Sequence, residues 1–156
     1  MPVKRHPSLI PLSHDHHHGL VLAFRLREGL PRNWQPADNP QEQATDTVRF
    51  FHNNLVAHFR VEEEVLFPAI RARVPHAATM LDALTAEHSE MRAQVENLAH
   101  ALPDEVTLQT RLKAFGDLLE RHIRREEREL FPLYEFNISE AEAVRIGKDV
   151  ARITKR

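Results

Sequence analysis

Two stretches of this sequence place a histidine and a glutamate four residues apart: His58 with Glu62, and His122 with Glu126. Residues at i and i+4 share one face of a helix. Imidazole with carboxylate is a donor set suited to iron, manganese or zinc, provided the imidazole is neutral and the carboxylate ionised. A single pair of this kind is usually a solvated surface contact. Here both pairs lie on apolar stripes: Phe51, Leu55, His58, Glu62 and Val65 in one segment, and Phe115, Leu119, His122, Glu126 and Leu133 in the other. Ionised carboxylates facing a core are costly unless something compensates them, and a bound pair of cations would do so.

The two segments are copies. Residues 51–68, FHNNLVAHFRVEEEVLFP, align without a gap to residues 115–132, FGDLLERHIRREERELFP, and nine of eighteen positions are identical. The identical positions are chemically mixed, which compositional bias does not produce. An acidic-His pair precedes each copy, Asp15-His16 and Glu87-His88. His88 belongs to a stripe with Leu81, Leu84, Met91, Val95 and Leu98. In the run SHDHHHGL, His16 shares a face with Leu12 and Ala23, and its acidic neighbour matches that of His88. His17 is the alternative, because Leu20, Phe24 and Arg27 follow it at helical spacing. His14 and His18 read as solvent-facing, and His6, His52, His76 and His100 as surface or loop residues. Four imidazoles and two carboxylates would thus converge. Glu63 and Glu127 also recur, one position beyond the proposed ligands and so rotated about 100° away. They read as supporting or interhelical charges.

The elements that position these residues are helical. Ser13 is placed to cap a first helix running to about Gly29, followed by the proline-rich loop LPRNWQPADNP. Asn39-Pro40-Gln41-Glu42 combines a cap, a proline at the first helical position and a capping-box glutamate, opening a second helix expected to reach about Phe67. A third helix follows Pro75 and ends near Leu102-Pro103-Asp104, and a fourth covers roughly Glu105 to Phe131. The repeated Leu-Phe-Pro endings suggest packing plus helix distortion or termination. Ser139 and Glu142 form another capping box, opening a short fifth helix at about 139–154 with Ala143, Ile146, Val150 and Ile153 on one face. No window alternates as a strand would. The expected fold is all-α: an antiparallel up-down four-helix bundle built from a duplicated helix hairpin, with a short C-terminal helix.

Composition narrows the function. The 156 residues suit one domain, with a bundle core at about 10–134. Cysteine is absent, which removes disulfides, zinc-thiolate sites and iron–sulfur ligation by this sequence. A net charge of −2 gives no basic field for nucleic acid or anionic lipid. No apolar run is long enough to span a membrane, and the N-terminus lacks the apolar stretch of a secretory signal, so the cytoplasm is the expected location. Eleven histidines against four glycines is the one abnormal count.

The acidic-His pairs followed by H-x-x-x-E-E-x-x-L-F-P, twice, resemble the hemerythrin-like (HHE cation-binding) domain family over about residues 10–134. The resemblance implies a four-helix bundle holding two iron ions, with His16, His58, His88 and His122 as terminal ligands and Glu62 and Glu126 as bridges. Oxygen-carrying hemerythrins have a fifth histidine one turn after the one on the third helix, and that position is Arg92 here. The resembling iron–sulfur repair proteins carry an additional cysteine-bearing segment. Ferritin-like Glu-x-x-His pairs and metzincin His-Glu-x-x-His do not occur in this sequence.

The leading expectation is a non-haem di-iron protein binding O₂ or a related small ligand for sensing, storage or scavenging. Manganese or zinc would also suit the donors. No nucleophile or acid–base pair stands apart from the proposed ligands. If the protein is an enzyme, it is a di-iron oxidoreductase acting on peroxide, NO or ferrous iron. A third reading is an iron-responsive interaction module, and a fourth a purely structural bundle. The phenylalanines Phe51, Phe115 and Phe24 are expected to exclude water from the centre.

Overall fold

Five helices, which we label α1 to α5, account for nearly all of residues 4–28, 39–100 and 104–155, the parts of the chain that the computed structural model describes. A 3₁₀ turn, Pro7–Leu9, leads directly into α1, Ile10–Glu28. The chain therefore enters the helix ahead of Ser13, which is not its cap. His6 Nδ1 accepts from the Ser8 N–H at the start of the turn, and the Ser13 hydroxyl instead donates to Glu127 at 2.7 Å. α2 occupies residues 40–73, with the Asn39 side chain accepting from the Glu42 N–H as a cap. After a 3₁₀ turn at Pro75–Ala77 comes α3, Ala78–His100. α4 occupies 105–137, capped by Asp104, and α5 is Glu140–Thr154, capped by Ser139. The expected end of α1 at Gly29, most of the proline-rich loop and the break at Leu102-Pro103 lie outside the described residues. Among those residues there is no strand, and no helix is long and apolar enough to cross a membrane.

The Leu-Phe-Pro sequences do not terminate their helices. α2 runs on to Arg73 and α4 to Asn137. In both copies a π-turn precedes the proline, Glu62–Leu66 in α2 and Glu126–Leu130 in α4, and each begins at a proposed ligand. The Phe67 N–H bonds back five residues to the Glu62 carbonyl, and the Phe131 N–H to the Glu126 carbonyl. One extra residue in the turn displaces the carbonyl that the following proline would otherwise strike, so the helix continues. It also advances the buried stripe by one position: Leu66 and Leu130 are fully buried, where unbroken spacing from Phe51 and Phe115 points to Val65 and Glu129, and Leu133, expected on the stripe, is only partly buried. A further π-turn, Phe51–Leu55, occurs only in α2.

The helices pack antiparallel. α1 meets α4 with His16 beside Glu126, Gly19 beside Ile123 and Ala23 beside Gly116. α2 meets α3 with Glu63 against His88 and Arg71 against Asp82. The buried apolar residues form two clusters. One is built around Leu12, Leu66, Leu84, Leu130 and Tyr134, and α5 closes it with Ala143, Ile146, Val150 and Ile153. The other contains Ala23, Leu55, Phe59, Met91, Phe115 and Ile123. On every long helix the histidine and glutamate pattern falls where one cluster gives way to the other.

Gly116 sets the separation of α1 and α4, since a Cβ there would lie 3.0 Å from the Ala23 carbonyl oxygen and 3.1 Å from Leu26 Cβ. At Gly147 an added Cβ would meet only Ser8 atoms, at ordinary contact of 3.4 Å or more. Gly116→Ala is expected to destabilise the bundle by about 1–3 kcal/mol. Gly147→Ala is expected to be neutral or stabilising by up to about 1 kcal/mol, through helix propensity. Denaturant unfolding of both variants checks this; an unchanged midpoint for Gly116→Ala would show that α1 and α4 can spread without loss.

Candidate metal centre

Between the two apolar clusters lies a layer of buried ionisable side chains. His16, His58, His88, His122, Glu62 and Glu126 are each at most 2% exposed. Their donor atoms form two groups: His16, His58, Glu62 and Glu126, and Glu62, His88, His122 and Glu126, the atoms in each lying within 4.8 Å of one another. The glutamates belong to both groups and divide their oxygens between them. Glu62 Oε2 lies 3.5 Å from His58 Nε2, and Oε1 lies 3.0 Å from His88 Nε2. Glu126 Oε1 lies 2.9 Å from His16 Nε2, and Oε2 lies 3.2 Å from His122 Nε2. His16 pairs with His58, ring centroids 4.8 Å apart, and His88 with His122 at 4.9 Å. Each carboxylate thus presents one oxygen to each histidine pair.

The other ring nitrogen of every histidine is held by a carboxylate. His16 Nδ1 donates to Glu127 at 2.6 Å and His88 Nδ1 to Glu63 at 2.6 Å. His58 Nδ1 donates to Asp15 at 3.1 Å and His122 Nδ1 to Glu87 at 2.7 Å. An ionised carboxylate can only accept, so these bonds place a proton on Nδ1 and aim Nε2 inward. The contacts link all four long helices: Asp15 joins α1 to α2, Glu87 joins α3 to α4, Glu127 joins α4 to α1, and Glu63 joins α2 to α3. The signal for Asp15 and Glu87 was the acidic-His dipeptide itself, which located the histidines without revealing that each acid supports the histidine of the next helix. Glu63 and Glu127 stand outside the ligand positions, supporting them.

His17 is exposed and turned away from the layer, so of the two candidates on α1 only His16 enters it. His14 and His18 are exposed as well, with their rings edge to face. His6 lies in the non-helical segment ahead of the 3₁₀ turn, partly buried and bonded to Ser8 and Glu140. The aromatic enclosure also differs from expectation. Phe24 is 58% exposed and takes no part. Phe51 and Phe115 are buried in the apolar cluster beyond the layer. The rings stacked on the histidines are Phe59 on His88 (centroids 3.8 Å apart), Phe67 on the same imidazole at 5.7 Å, and Phe131 on His16 at 5.3 Å.

Buried polar atoms ordinarily find hydrogen bonds. Here Glu62 Oε1 and Oε2, His88 Nε2, His122 Nε2 and Glu126 Oε2 are buried with none, because their close approaches lack hydrogen-bond angles. These donors fit two cations, each facing two imidazoles and sharing two carboxylates. Without cations, protons occupy the layer. Burial pulls all four imidazoles down, yet the facing carboxylates more than reverse it. His16 and His88 are raised, His58 well above its ordinary range, and His122 reaches about 10. Burial pushes Glu126 up, while His122 and His16 hold it well below the usual carboxylate range.

The chain belongs to the hemerythrin HHE cation-binding domain family, which it matches over residues 8–134. It is a hemerythrin-like helical bundle whose His/Glu cluster is a candidate metal site. Over 105 residues it is 31% identical to a DNA nickase of Nostoc sp., covering 67% of this chain and 29% of the nickase. Over 137 residues it is 27% identical to the iron-sulfur cluster repair protein YtfE of Dickeya chrysanthemi, covering 80% of this chain and 62% of that protein. The chain therefore spans less than two thirds of either relative. No solved structure matches it significantly.

Protons and cations compete for these donors, which fixes a pH dependence. A histidine whose folded pKa is raised stabilises the metal-free fold fully below its unfolded value, and that contribution is lost as pH climbs through the folded value. For His122 the window runs from 6.5 to about 10. The melting temperature of metal-free protein is expected to fall across it, while that of loaded protein stays flatter, so the gap between them widens with pH. Parallel melting curves from pH 6 to 10 check this; a gap that narrows would contradict proton–metal competition.

Proposed function

We propose that this chain is a non-haem di-iron protein that binds O₂ or a related small ligand such as NO or peroxide, for sensing, storage or scavenging. In this reading His16 and His58 would hold one iron and His88 and His122 the other, with Glu62 and Glu126 shared between them. The observation that carries it is the division of both glutamates, one oxygen toward each histidine pair. Iron is favoured over zinc or manganese by the similarity to a protein named for iron–sulfur cluster repair. A small ligand is favoured because the layer is at most 2% exposed and its imidazoles are covered by Phe59, Phe67 and Phe131. A DNA strand or other bulky substrate could reach it only by unpacking the bundle, so the nickase similarity does not extend to this centre's own chemistry.

Two iron ions, when bound, supply one-electron chemistry toward such ligands. The protein's part is to keep each imidazole neutral at Nε2 by fixing the Nδ1 proton on an outer carboxylate, to divide two negative charges between two cations, and to exclude bulk water. A second reading, a redox enzyme acting on peroxide, NO or ferrous iron at the same centre, is favoured by one feature. Arg92 occupies the position of the carriers' fifth histidine, and its guanidinium is bonded to Glu63 at 3.0 Å. Compared with the carriers, a cation beside His88 and His122 would have one protein ligand fewer, which would leave a coordination position for a reacting molecule.

Metal-free protein loaded with ferrous iron under anaerobic conditions is expected to take up two equivalents and to develop near-ultraviolet and visible bands on exposure to O₂. Bands that vanish on degassing support binding, and bands that persist move the assignment to the enzyme. Absence of any spectral change on O₂ exposure would sink the di-iron proposal. Glu126→Ala is expected to abolish uptake of the second equivalent, measured as bound iron after gel filtration.

A further inference from the structure

The support of His16 and of His88 extends one residue further, to an arginine in each case. Arg5, in the segment before α1, bonds Glu127 Oε1 through Nε at 3.2 Å, the Glu127 carbonyl through Nη2 at 2.6 Å, and Glu135 Oε1 through Nη1 at 2.6 Å. Its guanidinium lies 5.5 Å from the centre of the Phe131 ring. Glu127 is the acid that holds His16, and Phe131 is the ring stacked on His16. On the other side, Arg92 Nη2 bonds Glu63 Oε2 at 3.0 Å, and its guanidinium lies 5.7 Å from the centre of the Phe59 ring. Glu63 holds His88, and Phe59 stacks on it. Each arginine thereby grips both the acid and the aromatic ring that orient a single histidine. Duplication does not account for this. The position matching Arg92, by the offset that relates His16 to His88, is Leu20, and Arg5 precedes the repeated segments.

We propose that Arg5 and Arg92 are positioning residues, one for each cation, and that they make the two halves of the centre unequal. The proposal rests on the ligand assignment above. An arginine paired to the acid fixes the carboxylate's orientation and draws off part of its charge, so the acid orients the imidazole without taking the Nδ1 proton. Arg5 makes three bonds and its side chain is 11% exposed, whereas Arg92 makes one and is 44% exposed. The cation beside His16 and His58 is therefore held in the stiffer setting, and the one beside His88 and His122 leaves first.

Cobalt(II) loaded to two equivalents serves as the probe, with release to excess chelator followed by its visible absorption. The expected time course has two phases, the slow one missing in His16→Ala and the fast one missing in His88→Ala. Arg5→Ala should accelerate the slow phase roughly tenfold or more, and Arg92→Ala should accelerate the fast phase alone. Arg5→Lys, which keeps the charge but loses the planar fork, should recover only part of the effect and guards against a misfolded alanine variant. Equal acceleration of both phases by Arg5→Ala, or a lowered metal-free melting temperature with neither phase altered, would reduce Arg5 to a structural contact and overturn the proposal. Two equivalents released in one phase would overturn it while leaving the ligand assignment standing. Uptake of fewer than two equivalents would overturn both.

Discussion

Burying ionised carboxylates in the middle of a helical bundle is the constraint around which the rest of this protein is arranged. Glu62 and Glu126 have no exposed surface. Such charges are tolerated only with close partners and satisfied lone pairs. The partners are four imidazoles, and each in turn needs an acceptor at Nδ1. Asp15, Glu63, Glu87 and Glu127 supply it from neighbouring helices. Because every one of these hydrogen bonds crosses between helices, the requirement at the centre becomes a requirement on helix register. Sliding α1 along α4 by one turn would break the His16–Glu127 bond and bring a side chain toward Gly116. An apolar core can repack at modest cost. This layer cannot, and it pins the two apolar clusters on either side of it.

The π-turns belong to the same arrangement. Each begins at the glutamate that faces both histidine pairs and ends on the leucine of Leu-Phe-Pro. The extra residue lets Phe67 and Phe131 turn inward beside the layer, where they cover His88 and His16. It also moves the proline past the carbonyl that would have ended the helix. The segments that follow carry Ile70 and Tyr134 into the cluster that α5 closes. A local irregularity in hydrogen bonding thus joins the polar layer to the apolar end of the bundle. Its cost is offset by the packing it permits.

Spacing and repetition alone made the bundle and the inward faces of His58, His88 and His122 legible, because period and duplication are properties of the chain. Capping at Asn39 and Ser139 was equally plain. The π-turns were not, since nothing in an i, i+4, i+7 stripe announces an inserted residue, and helix ends at Phe67 and Phe131 follow if the proline is read as a stop. His16 could not be separated from His17 by pattern, because a run of three histidines puts one on almost any face; only the packing of α1 against α4 decides it. The partners of the Nδ1 atoms were hidden for a related reason. They lie on other helices, and pairing between helices is a property of register that a single stripe does not contain. Arg5 was farthest from view, lying beside Lys4 on a segment with no helical periodicity to give it a face.

What duplication made alike, later substitution has made different, and the differences lie outside the ligand set. Both halves keep His-x-x-x-Glu-Glu and an acidic-His pair. Yet Phe59, which stacks on His88, corresponds to Ile123 in the other copy, and His88 also carries Phe67. His16 has a single stacked phenylalanine and a largely covered arginine behind its acid; His88 has two phenylalanines and an exposed arginine. Two centres with identical donors can differ in charge compensation, access and stiffness through such neighbours alone. The inequality is therefore carried by the shell around the imidazoles, where a change can alter one half without unbalancing the shared carboxylates. A substitution at Glu62 or Glu126 would disturb both halves together, which leaves the outer layer as the place where one half of the centre can be tuned separately from the other.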